Sequence, residues 1–204
     1  MRTLFVLVFL IIVQSSFGQE FPSQLWHEGK LVTVDSDTIS GELKYDLDND
    51  LVQISVNKVI KTYSSRKIFY FEIFDEFYEN YRYFYSLPYR TTANYETPIL
   101  FEVLYEGPLT LLCREYITQE TVPQYSYYRR GNTYRSSYKL DFNYYFVSKG
   151  GSINQYFLKK KELLDVMQRK SGEVKQFMKN NNLKYDKRGD LVRITAYYNS
   201  LIDS

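Results

Sequence analysis

The chain contains one cysteine, one histidine and one tryptophan among 204 residues. A single cysteine makes no internal disulfide, so the fold must stand on its apolar core. A Ser-His-Asp or Cys-His relay needs a histidine beside its nucleophile. Only His27, in "LWHEGK", is available, and it reads as a satisfied or surface histidine. The sequence has no G-x-S-x-G elbow and no glycine-rich phosphate loop. Zinc requires clustered Cys and His, which are missing. Cys113, in "LTLLCREY", falls in line with Leu109 and Leu111 and reads as a small buried hydrophobe. These gaps lead to an expectation of no catalytic constellation, no metal and no cofactor.

The acidic stretches are weak signals as well. "DLDND" places Asp46, Asp48 and Asp50 at the first three ligand positions of a calcium loop. Leu51 then stands where the loop needs Gly and Asn57 where it needs Glu. A plain turn is the expectation, since Asp and Asn build turns without metal. Glu72, Asp75, Glu76 and Glu79 offer carboxylates for glycosidase-type chemistry, which keeps a carboxylate-dependent hydrolase of an envelope or extracellular polymer as an alternative.

Long apolar runs are confined to the start. Arg2 followed by Leu4 to Val13, with Ser16 and Gly18 as small residues, has the three-part form of a signal peptide over 1–18. The run falls short of the about 20 residues of a spanning helix, and no Cys follows it to carry a lipid. The chain is therefore expected to be exported, as a periplasmic, outer-envelope-associated or secreted protein without a transmembrane segment after cleavage.

The formal net charge of +2 conceals a division. Acids dominate from 19 to 121, and bases after it, with Arg129, Arg130 and Arg135 followed by Lys159, Lys160, Lys161, Lys175 and Lys179. Such halves attract each other on packing or present a basic face to an anionic polymer.

Aromatics make up 18% of the residues, 22 of them tyrosine, and most lie in strand patterns. Ile39, Gly41, Leu43, Tyr45 and Leu47 alternate with polar residues, and Val52, Ile54 and Val56 repeat the period of two. "RKIFYFEIFDE" and "NYRYFYSL" are aromatic-rich strands. "PILFEVLYEGPLTLLCREYI" reads as a hairpin turning at Glu106–Pro108, and "YKLDFNYYFVSKGGSINQYFL" as one turning at Gly150-Gly151. In the latter, Tyr138, Leu140, Phe142, Tyr144 and Phe146 form the expected inner face.

After Phe157 the period changes. Leu163, Leu164 and Met167, then Val174, Phe177 and Met178, then Leu191, Ile194, Tyr198 and Leu201 mark helical stripes, the last capped by Asp186. The fold class that follows is mainly β with α (α+β): an antiparallel β-barrel or sandwich over 19–157, followed by a short helical segment over 158–204 packed on it.

The signal ending "SFGQ", the strand pair "GKLVTVDSDTISGELKYD", the strand "YSSRKIFYFEI" and the ending "LVRITAYYNSL" resemble those of uncharacterised exported β-rich proteins of Gram-negative bacteria. The resemblance implies location and fold, and carries no activity.

"PQYSYYRRGNTYRSSY" breaks the strand pattern. Pro123, Gly131 and Asn132 mark a Tyr/Arg-rich loop or protruding hairpin over 121–137. Tyr127, Tyr128 and Tyr134 beside Arg129, Arg130 and Arg135 combine stacking faces with cations, a candidate contact surface for an envelope protein or an anionic or glycan polymer. Export argues against nucleic acid. The leading reading is an exported, non-enzymatic binding or structural module. A lipocalin-like small-ligand carrier is a further alternative, though Trp26 lacks a Gly two residues before it. A membrane barrel would need apolar outward positions on every strand, and several faces carry Glu, Lys and Asp.

Overall fold

A computed structural model describes residues 20–92, 95–124 and 133–202. The expected signal peptide at 1–18 lies outside them.

Ten strands form one antiparallel sheet: β1 (His27–Thr33), β2 (Thr38–Asp46), β3 (Leu51–Val56), β4 (Val59–Ser64), β5 (Ile68–Asp75), β6 (Asn80–Thr92), β7 (Tyr95–Tyr105), β8 (Thr110–Gln124), β9 (Thr133–Val147) and β10 (Ile153–Tyr156). Their order is β10-β9-β8-β7-β6-β5-β1-β2-β3-β4. Three helices follow: α1 (Lys160–Val166), α2 (Ser171–Asn180) and α3 (Arg188–Ile202). The fold is therefore mainly antiparallel β with C-terminal helices, in a sheet that is not closed by hydrogen bonds and is sandwich-like.

Chain connectivity makes the sheet coil. Only Ser65–Lys67 joins β4 to β5, and the link from Ser64 to Ile68 spans at most about 14 Å. In a flat sheet those strands would lie about 19 Å apart, four spacings. The strands from β5 to β4 must therefore curl round, and Gly29 paired with Gly41 permits it. A Cβ on Gly29 would run into the carbonyl of Glu72, and one on Gly41 into that of Ser55. The interior of the curl is filled by Leu31, Leu43, Tyr45, Val52, Ile54, Ile68, Phe71 and Phe84. Phe71 and Phe84 stack with centroids 4.5 Å apart.

The second half of the sheet is buried on both faces. On one, Leu111, Cys113, Tyr144 and Phe146 meet Leu163, Met167, Val174, Met178, Leu191, Ile194 and Tyr198 of the helices. The Asn199 side chain ties α3 down by accepting from Leu109 N at 2.9 Å and donating to Leu109 O at 2.8 Å. On the other face, Ile99, Phe101, Leu112 and Tyr145 cluster with Leu87 and Tyr89. Tyr89 on β6 contacts Tyr145 on β9, with ring centroids 5.6 Å apart. The outer ends of β6 and β7 thus lean back over the sheet.

This second layer corrects the expected strand faces in β9. Tyr145, read as outward, is buried, while Tyr138, read as inward, is 51% exposed, because it lies beyond the reach of the body. Phe142 is half-buried and packs against the helical cluster. Phe142→Ala is accordingly expected to cost about 1–3 kcal/mol, less than full burial of an aromatic would imply. Lys139→Ala should shift the denaturation midpoint hardly at all. Urea titration of both variants checks the pair, and equal losses would contradict this placement.

Candidate functional site

Charge appears at inward positions on four adjacent strands. Arg82 shares its face of β6 with Phe84, Asp75 shares that of β5 with Phe71 and Ile73, Glu102 that of β7 with Leu100, and Glu115 that of β8 with Cys113. All four are buried, Asp75 completely. They meet where the coiled half of the sheet abuts the helical layer.

Arg82 is the hub. Nε donates to Glu102 Oε1 at 3.0 Å. Nη1 donates to Tyr45 Oη and Asp75 Oδ2, each at 2.9 Å. Nη2 donates to Glu102 Oε2 and Glu115 Oε2, each at 2.8 Å. These interactions use all the N–H donors a guanidinium has. The Tyr45 hydroxyl donates onward to Glu115 Oε1 at 2.6 Å. Arg188, the first residue of α3, closes the cluster through Nη2 to Glu102 Oε1 at 2.5 Å and Nη1 to Glu102 Oε2 at 3.1 Å. A cation there opposes the helix dipole, so this position serves Glu102 rather than the helix.

The protonation states follow from these contacts. Burial opposes the charge on Arg82, but Glu102, by charge and hydrogen bond, outweighs it and holds the guanidinium above its ordinary value. Burial likewise opposes ionisation of Glu102, and Arg82 and Arg188 override it, holding the carboxyl below the usual range. Burial pushes the Tyr45 hydroxyl well up. It does the same to the Cys113 thiol, which keeps the thiol protonated, the opposite of what a nucleophile needs.

Every N–H of Arg82 and every carboxylate oxygen of the cluster has a partner, and among the described residues no buried side-chain N or O is left without one. The arrangement is a rigid tie across β2, β5, β6, β7, β8 and α3.

Among the carboxylates singled out in the sequence, Asp75 belongs to this cluster. Tyr127, Tyr128, Arg129 and Arg130 fall outside the described residues. Tyr134 and Arg135 belong to β9, with backbones paired to Pro123 and Val122, and Tyr134 is 64% exposed. The segment read as a loop over 121–137 is paired strand at 121–124 and 133–137. β7 pairs with β8 only near Leu111–Cys113, and β10 with β9 only at Tyr144–Val147. From Thr118↔Lys139 to Gln124↔Thr133 the hairpin has no sheet partner beyond itself. It is a two-stranded ribbon projecting about 20 Å, with Tyr134 and Tyr138 on one side.

Other early candidates have structural roles. His27 is buried, and its Nε2–H donates to Pro22 O at 2.8 Å. Asp46 accepts from Asn49 at its backbone and side-chain nitrogens. Asp50 accepts from Leu100 N and pairs with Arg114 at 2.8 Å. The acids of "DLDND" thus shape a turn and dock it on β7 and β8. Glu72 pairs with Lys30 at 3.0 Å. Among the described residues no group of three or more His, Cys, Asp or Glu is arranged to hold a metal, and no helix is long and apolar enough to cross a membrane.

Sequence reasoning passed over Arg82, Glu102, Glu115 and Arg188. The signal for the first three was a charge at the inward parity of an apolar strand. No protein family, curated protein or solved structure matches the chain.

Proposed function

We propose that the chain is an exported, non-enzymatic binding or structural module of the bacterial envelope, with the β8–β9 ribbon as its contact arm. The observation that carries this reading is the ribbon itself. A two-stranded hairpin standing free in water is marginal, and this one extends past the body with both faces exposed and aromatics on one of them. Such an arm gains order by lying against a partner. Tyr134 and Tyr138 supply stacking faces, and the arginines of 129–135 supply cations for an anionic or glycan polymer or an envelope protein.

Two features favour binding over hydrolysis. The buried carboxylates are spent on Arg82 and Arg188. The interior of the coiled half is filled with side chains, so it offers no cup of the lipocalin kind. Export rests on the N-terminal pattern alone.

The test uses the chain from Gln19 in cosedimentation with insoluble envelope material. On this reading, replacing Arg129, Arg130 and Arg135 by Ala should release most of the protein while leaving its denaturation midpoint unchanged. Tyr134→Ala should act in the same direction. Added salt should release wild type more than the arginine-free variant, because screening acts on the charges removed. Full retention of both variants would overturn the ribbon as the contact arm.

A further inference from the structure

The buried cluster holds three carboxyl groups and two guanidiniums. Asp75 Oδ1 accepts from the backbone N–H of Phe77 and Tyr78, and Oδ2 from Arg82. Both Glu102 oxygens accept from the two arginines. Tyr45 Oη, already taking a hydrogen bond from Arg82, gives its one proton to Glu115 Oε1, and Glu115 Oε2 accepts from Arg82. Three carboxyl groups thus face two guanidiniums where desolvation makes charge costly, and Glu115 Oε1 alone among the six oxygens meets a hydroxyl, which can accept as well as donate.

The Tyr45–Glu115 side of the cluster borders an opening. A cleft of about 350 Å³ lies between the β2–β3 turn and the base of the ribbon, with Tyr45 and Glu115 on its lining. Its walls include Leu51, Ile117 and Leu140, all half-buried. Asp48, exposed and without an ion pair among the described residues, lies at its rim. The charged side chains lining the cleft are Lys44 against Asp46, Asp48 and Glu115, so the cleft is itself net negative. Each Glu115 oxygen has one lone pair still free to accept. The apolar walls suit a hydrocarbon stem and not a hydrated metal ion, which requires several oxygen ligands.

We propose that this cleft binds a primary alkylammonium, the apolar stem between Leu51, Ile117 and Leu140 and the charged end turned toward Glu115. The ligand is either a free aliphatic amine or a lysine side chain of a polypeptide, since both present the same group. The proposal does not rest on the envelope reading.

The experiment titrates hexylammonium, hexan-1-ol and Nα-acetyl-lysine amide into the 15N-labelled chain, following the amides of Ile117 and Leu140. Hexylammonium should bind saturably, at least about tenfold more tightly than the alcohol of equal length, which differs only in lacking the charge. Tighter binding of the lysine amide than of hexylammonium assigns the site to polypeptide lysines, and the reverse assigns it to free amines. Thr62→Lys, an exposed change on the cleft lining, should weaken amine binding by adding a second ammonium from the chain to that of Lys44. Asp48→Asn should weaken it. Glu115→Gln should do so wherever that variant folds, and the two exposed variants decide the matter if it does not. Equal binding of amine and alcohol, no saturable binding of any amine, or an unaltered titration in Thr62→Lys would overturn the proposal.

Discussion

Arg82→Met is expected to destabilise the chain by about 3–5 kcal/mol, the usual result of removing one partner from a buried ion pair. The loss does not come from the side chain's volume, which Met largely keeps. It comes from Asp75, Glu102 and Glu115, which with Tyr45 lose five hydrogen bonds from the guanidinium and keep Arg188 as the one cation in the cluster. Arg82→Lys should recover a minor part, because an ammonium has three donors and no planar fork to serve four acceptor groups. Arg90→Met is the control. Arg90 pairs with Glu96 at 3.0 Å, but both side chains are more than half exposed, and such pairs are worth about 0–1 kcal/mol. Denaturant midpoints for the three variants check the order. If Arg82→Met and Arg90→Met lose equally little, the cluster does not hold the sheet together.

The same cluster shows where sequence patterns run out. Alternation in β2 and β3 was legible, because one face of each is apolar and buried, and the stripes of α1, α2 and α3 were legible for the same reason. β4 was not. Its six residues form the outer edge of the sheet, four of them exposed, so no burial pattern marks it. It is joined to β3 by Asn57 and Lys58, both at positive φ, a turn that Asn announces and Lys conceals. Tyr145 was misread because period-two logic assumes one wet face, and here the outer ends of β6 and β7 cover it. Arg82, Glu102 and Glu115 sat in plain view as charges within apolar strands. Each alone looks like a surface residue, and only the strand register, with Phe84 opposite Glu102 and Glu102 opposite Cys113, sets the three side by side. Arg188 carries no strand signal at all, since its partner Glu102 lies 86 positions away.

Loss of the fold in acid is the other large effect expected, and Glu102 sets its direction. Arg82 and Arg188 hold this carboxyl below its ordinary value of 4.5 despite its burial. Between that lowered value and the ordinary one, the unfolded chain binds a proton that the native chain does not. Stability therefore rises with pH across this window. The contribution is complete above the ordinary carboxylate range and disappears as pH falls through the folded value. Once Glu102 is protonated, Arg82 and Arg188 lose their shared counter-charge in a site almost closed to water, and the tie between sheet and α3 fails. Arg188→Met should bring that failure to higher pH. With one guanidinium fewer, burial is less fully opposed and the folded value of Glu102 moves up toward 4.5. At neutral pH the same variant should lose about 1.5–3 kcal/mol, the range for hydrogen bonds to charged groups. Near-ultraviolet circular dichroism of the buried tyrosines, followed from pH 7 to about 2, measures both midpoints. An Arg188→Met midpoint at or below that of wild type would mean that Glu102 is not the group whose protonation releases the helical tail.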